Sequence, residues 1–465
     1  MTLHSLDISV LFLYLLAVLW VSYRKKSTNE TSDYLLMGRK LSLPAFVMTL
    51  VSTWYGGILG VSEFSTSYGI SNWIIFGLPY YVFGIAFAFL VAKRARLLKV
   101  SSLPEIISKD YGNNAGRLAS VWVLLLASPA PYILTLGLLL NFFLGLSLTF
   151  SIILGTVFSL IYILRSGFVA VVNTDKLQFM LMFLGFFVII LVLIIDYKTP
   201  WELWSSLPPS HRSLTGGNSI AYIIVWFFIG SWTLVDPGFH QRVYATKSPQ
   251  IAKSGILWAV AFWFIFDMMT TLTGLYAFDY LPPGTIPAQA FLHLGHSILP
   301  IGLQGLFFVG ILATVMSTLD SNALISGITL GKDILGSYGT LHKFTTRSLI
   351  KTSMIIVMIL GVILAILLPS VIDLWYTFGT IAIPALLLPT LFSIFKRPMT
   401  RTAATLNLIL PPLFAILWFL FGKSGDYSYY LGLEPFYPGL GCSLVIVTIF
   451  NRKKREHLHA DRFEK

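Results

Sequence analysis

Residues 43–69 read LPAFVMTLVSTWYGGILGVSEFSTSYG, an apolar run that is interrupted in its middle by Trp54-Tyr55-Gly56-Gly57. About 20 apolar residues in a helix cross a hydrocarbon core of ~30 Å. Inside a membrane, non-helical backbone is tolerated only where it is buried in protein or lines a cavity. The stretch therefore predicts a transmembrane helix that is broken near the middle of the bilayer.

Similar apolar runs recur along the whole chain. Of its 465 residues 56% are hydrophobic and 11% charged, whereas a soluble domain has ~25% charged residues. The other runs cover 6–23, 71–97, 117–147, 149–164, 167–195, 219–246, 251–279, 301–333, 348–368, 371–395, 403–421 and 431–451. We predict an all-α polytopic membrane protein of about 13 transmembrane helices, forming one transmembrane unit over 1–465.

The positive charges predict its orientation. The net charge is +12, but the Lys and Arg residues lie in short loops between apolar runs, which argues against a nucleic-acid partner. Only Lys198, Arg212 and Lys423 of the 32 fall in the predicted outer loops. By the positive-inside rule the N-terminus is outside and the C-terminus, with a short tail at 452–465, is cytoplasmic. Cys442 is the only cysteine, so no disulfide framework is expected.

A second interruption lies in the run at 219–246, at Gly230 to Thr233 and again at Asp236-Pro237-Gly238. Each interrupted run opens a block of five predicted helices, 43–195 and 219–395. The second interrupted run comes five spans after the first, and because five is odd the blocks have opposite orientations, as inverted repeats of transporters do. One extra helix at 6–23 precedes the blocks, and two at 403–451 follow them.

Polar groups inside apolar helices are costly and mark functional candidates. Acidic residues occur in such runs at Glu63, Asp175, Asp236, Asp267, Asp320 and Asp373, of which Asp267 has no assigned role. In the run at 301–333, Thr314, Ser317, Thr318 and Ser321 are spaced to share one helical face. Their oxygens suit a hard cation such as sodium, with carbonyls of the broken helix completing its shell. The alternative is a Ser/Thr face used for helix packing.

Several motifs, in this order, resemble the sodium:solute symporter family, which includes proline permease and the sodium/glucose and sodium/iodide transporters. They are the segment Asp33 to Arg39, the Gly60 and Tyr68-Gly69 spacing, Asn173 to Gln178 (a T-D-x-x-Q pattern), Asp236-Pro237 through Gln241-Arg242, and Ala313 to Ser321. The resemblance covers almost the whole chain. It implies a LeuT-like fold of five plus five inverted helices.

The resemblance also implies ion sites. The sodium ligands at matching positions are carbonyls of Leu50, Thr53 and Thr314 and hydroxyls of Ser317 and Thr318. Some family members hold a second cation, here at Asp175, Asp320 and Ser321. Asp320 departs from the family, where a small hydroxyl residue is common, so either two carboxylates bind the cation more tightly or one is protonated and a proton replaces sodium.

The solute is expected at mid-membrane between the broken helices. The residues placed there are Trp54, Tyr55, Gly57, Trp226, Ser231 and Trp232, with Trp375, Tyr376 and Thr380 facing them from the other repeat. The rings favour a compact, partly apolar or cationic ligand, unless they serve as packing or interfacial anchors. Neither broken helix is expected to have a buried arginine near its break.

These expectations describe a sodium-coupled symporter of a small organic solute that works by alternating access. A proton-coupled carrier, or a solute sensor or uncoupled channel, remains the alternative. A membrane-embedded enzyme is disfavoured because the one conceivable metal pair, His293 and His296, lacks a carboxylate partner. No cofactor besides sodium is expected, and the partners are solute, sodium and lipid. We expect a monomeric functional unit in a bacterial inner membrane.

Overall fold

The computed structural model describes residues 3–24, 31–338, 341, 344–422 and 429–463 of the chain, without the side chains of Arg24, Ser166 and 451–463. Lys423 and residues 464–465 lie outside the described residues. The described part is helical, with no β-strand and one isolated bridge between Leu41 and Thr246.

Helices of the first half follow one another closely. They are α1 (Ser5–Arg24), α2 (Thr31–Leu36), α3 (Leu43–Ser52), α4 (Ile58–Tyr68), α5 (Ser71–Phe76), α6 (Leu78–Ala86), α7 (Ala92–Leu97), α8 (Leu103–Tyr111), α9 (Asn113–Leu126), α10 (Ala130–Leu144), α11 (Leu148–Ser166) and α12 (Phe168–Asp196). A π-helical turn, Phe87–Val91, joins α6 to α7, and a 3-10 turn, Met37–Arg39, follows α2.

The second half of the chain is also a series of closely spaced helices. Its helices are α13 (Pro200–Ser206), α14 (Pro209–Arg212), α15 (Ile220–Ile229), α16 (Trp232–Val235), α17 (Pro237–Ala245), α18 (Pro249–Tyr280), α19 (Ala290–Ile298), α20 (Leu303–Ile328), α21 (Thr346–Leu367), α22 (Val371–Ile394), α23 (Arg401–Phe421) and α24 (Phe436–Phe463). A π-helical turn, Thr329–Ile334, extends α20. Short 3-10 turns cover Pro287–Gln289, Leu335–Ser337 and Tyr430–Gly432.

In the described part of the chain, 11 helical segments are long and apolar enough to cross a membrane. Two further predicted spans are shorter: the run at 43–69 is divided into α3 and α4, and the apolar part of α24 is Phe436–Phe450. The total of 13 therefore stays a prediction. Helix α24 continues through most of the predicted tail, as far as Phe463.

One interruption was not expected from the sequence. The run at 117–147 is divided between α9 and α10, around Ser128 and Pro129. Pro129 and Pro131 have no backbone N–H to donate, and in a regular helix each would clash with the carbonyl four residues earlier. The two prolines therefore disfavour a regular helix where α9 ends and α10 begins.

Helix α20 forms the centre of the packing, and nearly every residue from Phe307 to Ile328 is buried. Helix α12 packs along it where Gly185 faces Gly310, and a Cβ added at Gly185 would lie 3.1 Å from the Gly310 Cα. The two interrupted runs meet at one end, because the Leu41 N–H donates to the Ala245 carbonyl at 3.0 Å and the Lys247 N–H donates to the Leu41 carbonyl at 3.2 Å. These contacts join the N-terminal end of the first run to the C-terminal end of the second, and α3 and α17 both pack against α20.

Candidate functional site

The first break separates α3 from α4. Helix α3 ends at Ser52 and α4 begins at Ile58, so residues 53–57 are not helical. Two glycines allow close approach here: a Cβ at Gly56 would lie 2.4 Å from the Thr318 Cβ, and one at Gly57 would lie 1.9 Å from the Trp375 ring. The expected interruption at Trp54 to Gly57 is confirmed, and it faces both α20 and α22.

The second break lies between α15, α16 and α17. Helix α15 ends at Ile229, and the one-turn α16 ends at Val235. Asp236 has extended backbone, and its Oδ1 accepts the Phe239 N–H at 2.7 Å, which caps α17. Pro237 occupies the first position of α17, where its missing N–H costs nothing. The predicted interruption of the run at 219–246 is thus also confirmed.

A cavity of about 100 Å³ lies between the two breaks. Of the solute contacts named from the sequence, Trp54, Tyr55, Gly57, Trp226, Trp232 and Trp375 line it. Four further aromatic residues, none of them expected from the sequence, also line it: Phe76, Tyr80, Tyr132 and Phe239.

Ser231, Tyr376 and Thr380 lie outside this wall. Ser231 is buried just before α16, and the Tyr376 hydroxyl donates to Glu434, which turns the side chain away from the cavity. Thr380 is fully buried on α22. One residue along a helix turns a side chain by ~100°, and Tyr376 accordingly points away from the cavity that its neighbour Trp375 lines.

The sodium candidates lie together at the first break. The Ser317 hydroxyl on α20 is 2.9 Å from the Ser52 hydroxyl and 2.6 Å from Asp175 Oδ1. The Thr318 hydroxyl donates to the Thr314 carbonyl at 3.0 Å and lies beside Gly56. Leu50 and Thr53, whose carbonyls are the remaining candidates, are at the end of α3, where carbonyls lose their helical partners. The structure therefore brings carbonyl and hydroxyl oxygens of α3 and α20 into one place.

The candidates for a second cation are arranged differently. Asp175 accepts from Ser317 and Thr49 and pairs with Arg242, with 3.6 Å between Arg242 Nη2 and Asp175 Oδ2. Ser321 accepts from the same Arg242 nitrogen at 2.8 Å. Asp320 instead accepts the Tyr162 hydroxyl at 2.6 and 2.8 Å. Asp175 and Ser321 thus share a guanidinium, while Asp320 is held by a tyrosine.

Arg242 corrects a sequence expectation. Its side chain is 1% exposed and lines the cavity, so the expected absence of a buried arginine near either break is wrong. Besides Asp175 and Ser321, it donates from Nη2 to Thr53 at 2.7 Å and from Nε to the Thr49 carbonyl at 3.2 Å. At 1.5 Å per residue, Arg242 lies only about 7.5 Å along α17 from Pro237. The sequence signal was its position inside an apolar run, close to the break.

His293 and His296 have different partners. The His293 ring packs against Phe142 with 5.4 Å between centroids, whereas His296 Nδ1 lies 2.5 Å from Gln304 Nε2. In the described part of the chain no group of three or more His, Cys, Asp or Glu residues could hold a metal ion.

The model of the sodium:solute symporter family matches residues 34–410, most of the chain. The chain belongs to the sodium:solute symporter family. The resemblance drawn from the motifs is thus confirmed. Membership assigns sodium-coupled symport to the chain, and the relatives are transporters rather than enzymes.

Two relatives illustrate the distance within the family. The chain is 26% identical to the high-affinity proline transporter PutP of Bacillus subtilis, covering 91% of this chain and 92% of the relative. It is 23% identical to sodium/proline symporter 2 of Staphylococcus saprophyticus, covering 96% and 92%.

Solved structures show the fold. A Na⁺-coupled sialic acid symporter in a substrate-bound, outward-open state superposes with a TM-score of 0.78 at 20% identity and covers 96% of both chains. Mhp1, a transporter of the nucleobase-cation-symport-1 family, gives a TM-score of 0.58 at 13% identity over 90% of this chain and 94% of that chain. The expected all-α, LeuT-like architecture is confirmed, and the protein is a multi-span membrane protein.

Proposed function

We propose that this symporter binds a small organic solute in the cavity between the two breaks and a sodium ion where α20 meets the first break. The observation that carries the proposal is the position of Ser317 and Thr318, which lie against Ser52 and Gly56 at the first break. One break thus contributes to both the cavity and the ion site, which couples the two.

The proposed sodium ligands are the carbonyls of Leu50, Thr53 and Thr314 and the hydroxyls of Ser317 and Thr318. A hydroxyl has one hydrogen and two lone pairs. Because the Ser317 hydrogen points to Asp175 at 2.6 Å, its lone pairs are free for a cation. The Thr318 hydrogen is likewise committed to the Thr314 carbonyl. Both hydroxyls are therefore oriented as acceptors before sodium arrives.

Arg242 already pairs with Asp175, at 3.6 Å, and with Ser321. A second cation at Asp175, Asp320 and Ser321 would bring like charges together unless Arg242 moved away. We therefore propose that one sodium ion is carried in each transport cycle. Asp175 then orients the Ser317 hydroxyl and is not itself a ligand of the ion.

Transport follows from a difference in affinity between two conformations. Sodium bridges α3 and α20, so it favours the state in which the first break is held against α20. Solute binding in the adjacent cavity then permits closure, and loss of sodium to the cytoplasm opens the other side. We propose that the N-terminus lies outside, the C-terminus in the cytoplasm of a bacterium, and that one monomer is the working unit, with repeats at 43–195 and 219–395.

Sodium binding to the purified full-length protein tests this proposal without knowledge of the solute. Apparent melting temperature is measured in sodium and in potassium chloride at equal ionic strength. Sodium at tenfold above its Kd should stabilise the protein by about 1.4 kcal/mol. The double variant Ser317→Ala/Thr318→Ala should lose the sodium effect and Ser326→Ala should keep it, since Ser326 is on the same helix but donates to the Ala127 carbonyl.

An equal sodium effect in the double variant would overturn the ion site. Stabilisation that depends on pH rather than on sodium would favour the proton-coupled carrier. In proteoliposomes with an inward sodium gradient, labelled proline, the solute named for the relatives, is the first candidate. Solute that accumulates above its outside concentration indicates symport, whereas equilibration without accumulation indicates an uncoupled channel.

A further inference from the structure

Aromatic rings are the largest group of side chains in the wall of the cavity. Trp54 is surrounded by Tyr80, Trp263 and Phe239 at centroid distances of 5.0, 5.2 and 5.5 Å. On the other side, Phe76 contacts Trp226 at 5.1 Å and Trp375 at 6.1 Å. The face of an aromatic ring carries partial negative charge and attracts cations, Trp most strongly. The wall therefore suits a cationic group carrying apolar substituents.

Three ionisable groups besides tyrosine line the cavity, and two of them are compensated. The Arg242 guanidinium pairs with Asp175, and its Nη1 also donates to the Gly238 carbonyl at 3.3 Å. Asp236 caps the N-terminus of α17, where the helix dipole favours a negative charge. A ligand gains little from either group, since each is already engaged.

Asp267 is the third group, and it lacks a cation. Its side chain on α18 is 6% exposed and lines the cavity. Its Oδ2 accepts the Tyr81 hydroxyl, and none of the ion pairs between described residues includes it. An unpaired buried carboxylate is costly, and the cost falls when a cation comes within contact distance.

The geometry joins Asp267 to the aromatic wall. Trp263 lies one turn earlier on α18, and residues four apart on a helix share a face. Its ring packs on Trp54, and its carbonyl accepts the Tyr55 hydroxyl at 3.1 Å. The carboxylate and the rings thus border the same space.

We propose that the solute of this symporter is a small organic cation with an alkylated ammonium group, that Asp267 is its counterion, and that the rings around Trp54 contact its alkyl groups. This inference rests on the proposed solute cavity and narrows its substrate class. An anionic solute would meet the Asp267 carboxylate with no uncommitted cation to offset it. A neutral solute would leave that carboxylate uncompensated.

The test compares ligands of equal shape and different charge. Choline, tetramethylammonium and N,N-dimethylpyrrolidinium are titrated into the purified full-length protein in sodium buffer, and the apparent melting temperature is followed. The neutral controls are 3,3-dimethyl-1-butanol, which replaces the choline nitrogen by carbon, and zwitterionic proline. We expect at least one cation to stabilise the protein at concentrations about tenfold or more below those at which its neutral counterpart does so.

Asp267→Asn should weaken the binding of that cation by about tenfold or more. The increase in melting temperature caused by sodium should be unchanged, which would show that the variant is folded. The matched control is Asp279→Asn at the far end of the same helix, where the carboxylate pairs with Lys198 at 2.6 Å; it should bind cations as the native chain does.

Four results would overturn the inference: equal binding of choline and its neutral isostere, binding of proline alone, no binding by any of the three cations, or unchanged cation binding in Asp267→Asn. In each case a preserved sodium shift would leave the proposed sodium symport standing. Loss of the sodium shift in the native chain would instead contradict the proposed function itself.

Discussion

Two regions of the molecule compensate their acidic side chains in different ways. One is the Glu105 cluster, formed by Ser101, Ser102, Glu105, Lys109, Lys332 and Asp333 where α8 meets the end of α20. The other is the cavity with Asp267. In the cluster Lys332 lies 3.0 Å from Glu105 and 3.1 Å from Asp333, and Ser102 donates to Asp333 at 2.9 Å. In the cavity Asp267 has a tyrosine and no cation.

This contrast separates structural charge from functional charge. A carboxylate with a resident cation contributes to the stability of the resting protein. A carboxylate without one makes its strongest contact only when a ligand arrives. Mutation should therefore lower stability in the first case and ligand affinity in the second.

The largest effect is expected at the pair in which both partners are fully buried. Arg242→Met leaves Asp175, which is 0% exposed, without its cation, and breaking a buried pair in this way costs about 3–5 kcal/mol. The double variant Arg242→Met/Asp175→Leu removes both charges and should recover much of the loss. Apparent melting temperature in potassium buffer measures both. A single variant as stable as the native chain would show that the pair does not stabilise the fold.

The sequence contained part of this information. Apolar runs, Gly56-Gly57 and Pro237 were enough to predict the membrane helices and both breaks, because hydropathy and backbone restrictions are local properties. The Ser/Thr spacing placed Ser317 and Thr318 on one face of a helix by the same local logic.

Contacts between distant segments could not be predicted in this way. Arg242 meets Asp175 across 67 positions only because a short α17 starts at Pro237 and packs between α3 and α20. Asp267 stands out in the sequence as an acidic residue in an apolar run, but nothing there pairs it with Tyr81 on α6. Such contacts depend on how each helix is rotated and shifted against its neighbours, and tertiary packing determines that placement.

Glu105→Gln should have the next largest effect. Burial alone would raise the pKa of Glu105, but the Lys332 ammonium and hydrogen bonds from Ser101, Lys109 and Lys332 outweigh it and lower the pKa to about 2. A carboxylate whose pKa falls on folding stabilises the native state above its unfolded pKa of about 4.3 and loses that contribution as pH falls towards 2. At pH 7 we expect a loss of about 1–2 kcal/mol, discounted for partial exposure.

Thermal unfolding of Glu105→Gln and of the native chain, at pH 7 and at pH 3, tests this pH dependence. The difference in stability between the two proteins should be smaller at pH 3, where the native carboxylate begins to be protonated. Lys109→Met is the matched control, because the Lys109 side chain is 54% exposed and should contribute under about 0.5 kcal/mol. A pH-independent difference would mean that Glu105 acts through packing rather than charge.

Asp7 shows a third form of compensation, with a helix end in place of a cation. It is fully buried on α1, and its Oδ1 accepts the N–H groups of Gly302 and Gly305 at 2.8 and 2.7 Å, at the start of α20. Asp7→Ala should cost about 1 kcal/mol, the usual value of a helix cap. Asp7→Asn keeps an acceptor oxygen, so its apparent melting temperature should lie between those of Asp7→Ala and the native chain. Equal stability of Asp7→Ala and the native chain would exclude the capping role.

The smallest change in stability, and the only one of opposite sign, is expected for Asp267→Asn without solute. The amide oxygen can still accept the Tyr81 hydroxyl, while the charge that lacks a partner is gone. The variant should therefore melt at or slightly above the native temperature, within about 1 kcal/mol of it. A clear loss of stability would place Asp267 with Glu105 among the structural charges, and the distinction between the two regions would fail. A neutral or positive change together with weaker cation binding would show that the cavity keeps this carboxylate uncompensated for its ligand.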